Sequence, residues 1–390
     1  MDPSIAYLST YPPRRCGIAS FTQDLRAAVG LGGAVFALGP TDDDQLTRRP
    51  VDPPEVRAVL SGHTPADYRR ASAAIEGSGA EVVSLQHEYG IYGGPDGSHV
   101  LELTGRLDLP IVATFHTVLS RPTDRQRRVL QEIARSADAS VVMSESAARR
   151  LVETYDVDPG RLHVIPHGVP DLSPVDPAIR KPELQLDGRP TILSFGLVGP
   201  GKGYEVAIES MATVREAIPD ALYVILGATH PDLLRREGER YRTELRSRVR
   251  GLGLEDSVRF VDRFVGRVEL GRWLQACDVF VTPYPNLDQI VSGTLSYAVG
   301  AGRPAVSTPY AYARELLAGG RGVLVPPAAP DALGTALAEL LADPERRAAI
   351  SRRAYAYGRG MIWRTVGAAY ADVFRAVGRR SVPADRRSRV

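Results

Sequence analysis

Cysteine and lysine are nearly missing from this 390-residue chain. Cys16 and Cys277 are its two cysteines, too few for a disulfide scaffold or a multi-cysteine zinc site, and they read as reduced thiols. Long apolar runs are missing as well: no stretch approaches the roughly eighteen residues of a membrane-spanning helix. Charge of one sign is also lacking. Lys and Arg number 48 against 46 Asp and Glu, a net charge of +2, so wrapping nucleic acid is not expected as the main task. What is present is 44% hydrophobic and 24% charged residues, a globular composition with ample core. At about 100–200 residues per domain, the length suggests two or three domains.

The scarcity of lysine is informative because nearly all of the positive charge is arginine. The two lysines are Lys181 and Lys202. Lys181 lies in a proline-rich stretch and reads as a solvated linker charge. Lys202 lies inside Gly199-Pro200-Gly201-Lys202-Gly203, where a single ammonium among glycines has a chemical reading.

Arg14-Arg15 could open a twin-arginine signal, but the following Phe21-Thr22-Gln23-Asp24-Leu25-Arg26 is polar and helical in pattern, which argues against export. The expected location is the cytoplasm. Residues 379–390 form a basic tail, read as a solvated end, with weak peripheral contact to anionic membranes as the alternative.

Short β-branched runs alternate with amphipathic stretches over most of the chain. Strands are expected at 5–10, 34–38, 82–86, 111–115, 140–143 and 162–165, with helices at 19–29, 124–136 and 145–155 between them. The strand runs are apolar without strict alternation, as in parallel sheets covered on both faces. Residues 166–190 hold many prolines and little periodicity, which reads as an interdomain linker. The alternation then resumes. Strands are expected at 191–195, 222–226, 258–261, 279–282, 305–307 and 322–325, and helices at 204–217, 232–252, 269–276 and 331–342. The fold class is therefore α/β, with two successive doubly wound units and ligands at the carboxyl ends of the strands.

The strand at 191–195 runs into Gly196-Leu197-Val198-Gly199-Pro200-Gly201-Lys202-Gly203 and then a helix. Backbone N–H groups at a helix start plus one lysine make an anion cradle. The stretch satisfies GxxxxGK, but Gly203 stands where a magnesium-binding Ser or Thr belongs, which weakens an ATPase reading. A GxGxxG fingerprint follows the first strand of neither half. A second phosphate candidate is Gln289-Ile290-Val291-Ser292-Gly293-Thr294, where Ser292 or Thr294 can cap the next helix and Gly293 lets a ligand approach the backbone.

In the first half, three polar loops follow strands: the segment containing Arg14, Arg15, Cys16 and Gly17, the segment His87-Glu88-Tyr89, and His116-Thr117. The doubly wound rule places all three on one edge. Tyr89 and Tyr92 beside His87 and Glu88 suit a sugar ring, which takes an apolar platform and hydroxyl partners, and Arg15, His87, Glu88 and Tyr89 are the acceptor-binding candidates. No GxSxG elbow for Ser-His-Asp hydrolysis is present. His87 and Glu88 are adjacent and diverge at a strand end, so no metal site is expected.

Taken together, these residues resemble glycosyltransferase family 4, the retaining enzymes with the GT-B fold of two facing Rossmann-like domains. The resemblance spans residues 5–376 and rests on Gly17, on Thr114-Phe115-His116, on Val164-Ile165-Pro166-His167-Gly168-Val169, on Lys202-Gly203, and on Ala298-Val299-Gly300-Ala301-Gly302-Arg303-Pro304. It implies an acceptor-binding domain over 1–170, a linker over 171–189, a nucleotide-sugar-binding domain over 190–360, and a helix over 361–378 that crosses back to the first domain. The implied partners are a nucleotide diphosphate sugar and a carbohydrate or small-molecule acceptor. A hexosyl group is transferred with retention, without cofactor or metal, and positive side chains with a helix N-terminus stabilise the leaving diphosphate. Lys202 matches the family's phosphate-binding lysine. His116 matches the histidine that approaches the donor sugar, and Ser292, Gly293 and Thr294 match the phosphate-binding turn. Gly17 and Gly199 fall in the family's donor-side glycine loops.

The chain departs from the family at three positions. Leu197 stands for the phosphate-binding arginine. Gln289 and Tyr297 stand for two glutamates, so the catalytic set reads His116, Lys202 and Gln289, with Tyr297 at the ribose. Arg14, Arg15 and Arg263 are candidates to replace the missing cation. A GT-B binding protein without turnover, or a phosphate-using enzyme on the same scaffold, is the alternative function.

Overall fold

The computed structural model describes residues 2–39, 52–62, 64–186 and 188–379. The basic tail beyond Arg379 lies outside the described residues. The chain divides into two units, one made of Met1–Gly168 with Trp363–Val390, the other of Val169–Ile362.

The first unit is built on seven strands: β1 (Ile5–Thr10), β2 (Ala34–Leu38), β3 (Val56–Leu60), β4 (Val82–His87), β5 (Ile111–Phe115), β6 (Ala139–Val142) and β7 (Leu162–Val164). Their order is β3-β2-β1-β4-β5-β6-β7, all parallel. β1, β4 and β5 are buried along their whole length, which explains their continuous apolar runs. β3 is an element the sequence pattern does not announce. Its run Val56-Arg57-Ala58-Val59-Leu60 is interrupted by an exposed Arg57 and follows Pro53-Pro54, and it gains its strand character from pairing with β2.

Helix Gly17–Val29 covers one face of this sheet, and helix Trp363–Arg379 packs beside it. From the latter, Tyr370 shares a hydrogen bond with Thr114 of β5 (3.2 Å), and Phe374 meets Tyr7 of β1 edge-on. The final helix therefore completes the core of the first unit.

The second unit carries β8 (Thr191–Phe195), β9 (Leu222–Leu226), β10 (Val258–Val261), β11 (Val279–Thr282), β12 (Ala305–Ser307) and β13 (Val323–Leu324). Their order is β10-β9-β8-β11-β12-β13, again all parallel. The single helix expected over 232–252 is two helices, Pro231–Glu237 and Arg240–Gly251. The break falls at Gly238, whose φ of 61° lies in the left-handed region that glycine tolerates best.

The expectation of a solvated Lys181 is corrected. Helix Pro177–Arg180 and the residues after it pack onto the second unit. Lys181 is 7% exposed, and its Nζ lies 2.7 Å from Asp278 Oδ2. Asp278 also accepts from the Thr191 backbone N–H (2.7 Å) at the start of β8. Arg303, another buried cation, donates to the carbonyl of Val175. The proline-rich stretch is thus bound to the second sheet by charge and hydrogen bonds that its composition does not reveal.

Candidate active site

In both sheets the strand order reverses beside the first strand of the unit, between β1 and β4 and between β8 and β11. Crevices form at such switch points outside the carboxyl ends of the strands.

In the second unit the loop after β8 carries Gly199, Lys202 and Gly203. Gly203 has φ 70°, and a Cβ there would come 2.0 Å from the Pro283 carbonyl oxygen, so only glycine lets this loop lie against the segment leaving β11. The approach sets Lys202 Nζ over the ring of Tyr284, 4.5 Å from its centroid. Among the described residues Lys202 makes no ion pair, so its ammonium is held by a ring face alone.

Tyr284 in turn shares a hydrogen bond with Thr294 Oγ1 (2.9 Å), and Thr294 with Ser292 Oγ (3.2 Å). Ser292 caps helix Gly293–Gly300, its Oγ accepting from the Leu295 N–H. Tyr284 is itself stacked on Tyr310, with centroids 5.3 Å apart. One aromatic side chain therefore ties the lysine of one loop to the capped helix start of the next. The free N–H groups of that helix start and one ammonium make an arrangement suited to an anion with two charged groups. Tyr284 is the residue that sequence reasoning passed over. Its signal was an aromatic between Pro283 and Pro285 at a strand end.

The remaining second-unit candidates fall around this cluster or away from it. Gln289 is half-buried, and its Nε2 donates to the Val291 carbonyl (2.9 Å), which fixes the amide within its own turn. Tyr297 packs its ring against Phe195 at the end of β8 (6.0 Å). Gly199 is buried, and its Cα faces Leu233 and His230. Arg263 follows β10, two strands from β8 in the sheet order. It is in an ion pair with Glu269, whose carboxylate that guanidinium holds below the usual range. Arg263 is thus a paired surface cation and not a member of the Lys202 cluster.

In the first unit Cys16 caps helix Gly17–Val29, its Sγ accepting from the Ala19 N–H (3.3 Å). Arg15 and Gly17 are exposed beside it. Gly17 belongs to this unit and Lys202 to the other.

His116 follows β5 and is 8% exposed. Its Nε2 shares a 2.9 Å hydrogen bond with Gln86 Oε1, and its ring meets Phe21 edge-on at 4.9 Å. Burial, with His167 and His87 adding to it, pushes its pKa down to about 3. The ring is therefore neutral near pH 7, and it offers a hydrogen-bonding edge and no charge.

Beside it, Glu88 accepts from the Thr117 hydroxyl. Burial raises its pKa, against the hydrogen bonds from Thr117 and from the backbone of Tyr89 and Gly90. Tyr89 OH donates to the Gln126 carbonyl (3.2 Å), which pins the loop after β4 to the capped start of helix Asp124–Ser136.

His87 is corrected as an acceptor-binding residue. It is fully buried, between Tyr89, Tyr92 and Phe115, and burial pushes its pKa down to about 3. Strand alternation sets its ring on the covered face with Phe115, its partner on β5. It supports the loop that carries Glu88 and Tyr89, and it presents no atom to a ligand.

Two doubly wound parallel sheets, each with a switch point beside its first strand, give the chain the architecture of the GT-B class. The family model described as "Glycosyl transferases group 1" matches residues 175–357, and that described as "Glycosyltransferase Family 4" matches residues 22–171. The chain belongs to glycosyltransferase family 4. It is 30% identical over 293 residues to a D-inositol 3-phosphate glycosyltransferase of Xylanimonas cellulosilytica, covering 69% of this chain and 67% of that one. Its fold is similar to that of sucrose-phosphate synthase from Thermosynechococcus elongatus, with a TM-score of 0.79, 19% identity, and 97% and 100% of the two chains covered. It is also similar to Anabaena Alr3699/HepE in complex with UDP and glucose, with a TM-score of 0.75, 16% identity, and 96% and 100% covered. Among the described residues no helix is long and apolar enough to cross a membrane.

Proposed function

We propose that this enzyme transfers a sugar, with retention, from a nucleoside diphosphate sugar to an acceptor hydroxyl, without a metal ion or cofactor. The observation that carries the reading is the linkage of Lys202, Tyr284, Thr294 and Ser292 at the β8/β11 switch point. When the anomeric C–O bond breaks, negative charge grows on the departing diphosphate oxygen. A fixed ammonium and the N–H groups of a helix start stabilise that charge as a metal would. The acceptor oxygen bonds to the anomeric carbon, and its proton passes to the departing diphosphate. Retention is carried by family membership.

We assign donor binding to the second unit and acceptor binding to Arg15, Glu88 and Tyr89 of the first. His116, neutral near pH 7, needs no charge for this chemistry, and Gln289 serves as a hydrogen-bonding group toward the sugar. UDP, seen with the similar Anabaena protein, is the first nucleotide to test. D-inositol 3-phosphate, named in the relative, is the first acceptor. The free thiols of Cys16 and Cys277 support a reducing, cytoplasmic compartment.

The test begins with thermal shifts against UDP, GDP, ADP and dTDP. A nucleotide at 100 times its Kd adds about 2.7 kcal/mol. Transfer from the matching nucleotide sugar is then followed in EDTA, and the product anomer is read by NMR. Undiminished transfer with the donor's anomeric configuration is expected. Loss in EDTA restored by Mn²⁺, or an inverted product, refutes the reading.

A further inference from the structure

We infer that His230 is a further donor-binding residue, with its Nε2–H directed to the anionic part of the nucleoside diphosphate. The inference rests on the donor site proposed above and extends it to a loop that carries none of the residues assigned there.

His230 lies in the loop after β9, the strand beside β8 on the side away from β11. This loop is bonded to the Lys202 loop. Val198 N–H donates to the Ala228 carbonyl (2.8 Å), and His230 N–H donates to the Val198 carbonyl (2.9 Å). The residue after Val198 is Gly199, and a Cβ there would sit 3.8 Å from His230 Cβ. The backbone and Cβ of His230 therefore lie beside the glycine loop that carries Lys202.

A second contact orients the ring. His230 Nδ1 accepts from the Asp232 backbone N–H (3.2 Å) as the cap of helix Pro231–Glu237. A nitrogen that accepts carries no proton, so the neutral ring holds its hydrogen on Nε2. The two ring nitrogens point in diverging directions, so the Nε2–H is directed away from the helix that Nδ1 caps. Among the described residues that nitrogen has no partner.

The loop is held as a rigid mount. Arg242, 2% exposed, donates to the Gly227 carbonyl (2.9 Å) and to Thr229 Oγ1, and it is paired with Asp262 and Glu239. The residues on both sides of Ala228 are thereby fixed before any ligand arrives. Leu197 stands where a second cation could flank Lys202, and an N–H donor on a fixed loop supplies a second grip beside that ammonium.

Asparagine and glutamine separate the two jobs of the ring. In His230→Asn the short side chain keeps an acceptor where Nδ1 caps the helix but does not reach as far as Nε2. In His230→Gln the longer amide keeps a donor near Nε2. UDP, GDP, ADP and dTDP are titrated calorimetrically into wild type, Lys202→Ala and both histidine variants, with melting of each ligand-free protein recorded.

His230→Asn is expected to melt as wild type does and to bind the preferred nucleotide about tenfold more weakly, the scale of one hydrogen bond to a charged group. His230→Gln is expected to stay within about threefold of wild type. If His230→Asn binds as wild type while Lys202→Ala is weakened, the inference fails and the donor site stands. Equal losses in both histidine variants also overturn it, since they mark the fit of the ring in its loop, and a loss confined to His230→Gln overturns it as the mark of a cap alone. If Lys202→Ala binds as wild type, or none of the four nucleotides binds, the donor site itself fails and the inference with it.

Discussion

Replacing Lys181 with alanine removes the ammonium of a buried pair and leaves Asp278 behind. The side chains of Lys181 and Asp278 are 9% and 13% exposed, with the charged atoms 2.7 Å apart. Removing one partner of such a pair typically costs about 3–5 kcal/mol, because the remaining charge stays desolvated. The Thr191 N–H still serves the Asp278 carboxylate, which sets the expected loss near the lower end, about 3 kcal/mol. For a unit of this size Tm falls by about 2–4 °C per kcal/mol, so a drop of about 6–12 °C is expected by scanning calorimetry. Asp278→Asn in the same chain should return part of it, because the stranded carboxylate is then neutral. A double-mutant cycle over the four proteins isolates the pair's coupling. Nucleotide affinity measured well below the melt should stay at the wild-type value, since this pair lies at the amino end of β8 and Lys202 follows its carboxyl end. A Lys181→Ala protein that melts within about 2 °C of wild type would refute the claim that the linker is clamped by a desolvated charge.

Three further outcomes follow from the site. Lys202→Ala should weaken nucleotide binding by about 10- to 150-fold, the equivalent of a charge-assisted hydrogen bond of roughly 1.5–3 kcal/mol; calorimetry showing wild-type affinity would remove the cradle from the donor site. His116→Ala should lower kcat far more than nucleotide affinity, since His116 belongs to the first unit and the cradle to the second; equal losses in both would assign it a role in folding alone. The buried histidines make the first unit acid-sensitive. His87 and His116 titrate at about 3 and His167 at about 4, below the unfolded value near 6.5. The stability they permit is complete above pH 6.5 and is lost as pH falls toward 4, because only the unfolded chain takes up their protons. Each histidine contributes a loss of about 1.4 kcal/mol per pH unit in that window. Urea melts at pH 7 and pH 5 check this, and equal stabilities would contradict it.

The alternation of strands and helices was legible because both sheets are parallel and covered, so each strand writes itself as a short apolar run. β3 escaped because Arg57 faces outward on a strand defined by its neighbour. The helix break at Gly238 escaped because arginine-rich amphipathic residues continue on both sides of it. In the site, the rarity of lysine singled out Lys202, and the Ser292 cap could be read from its position before a helix. The same logic misread Lys181, whose environment is set by Asp278, 97 residues away in the chain. Sequence spacing also could not tell that His87 turns inward while Glu88 stays at the edge, or that Tyr284 connects two loops. Those are tertiary facts, decided by which face of a strand is covered.

The helix Trp363–Arg379 gives the first unit a core assembled from segments on both sides of the second unit. On the ribosome, the residues up to Gly168 emerge without the helix that covers Tyr7 and Phe21, and the whole second unit is synthesised before it arrives. The second unit, continuous from Val169 to Ile362, has all of its strands available and can close first. The first unit must wait with an aromatic face open to water, and it is the part most dependent on protection by chaperones during synthesis. A chain lacking part of the helix Trp363–Arg379 would therefore hold a well-formed second unit attached to an unfinished first one.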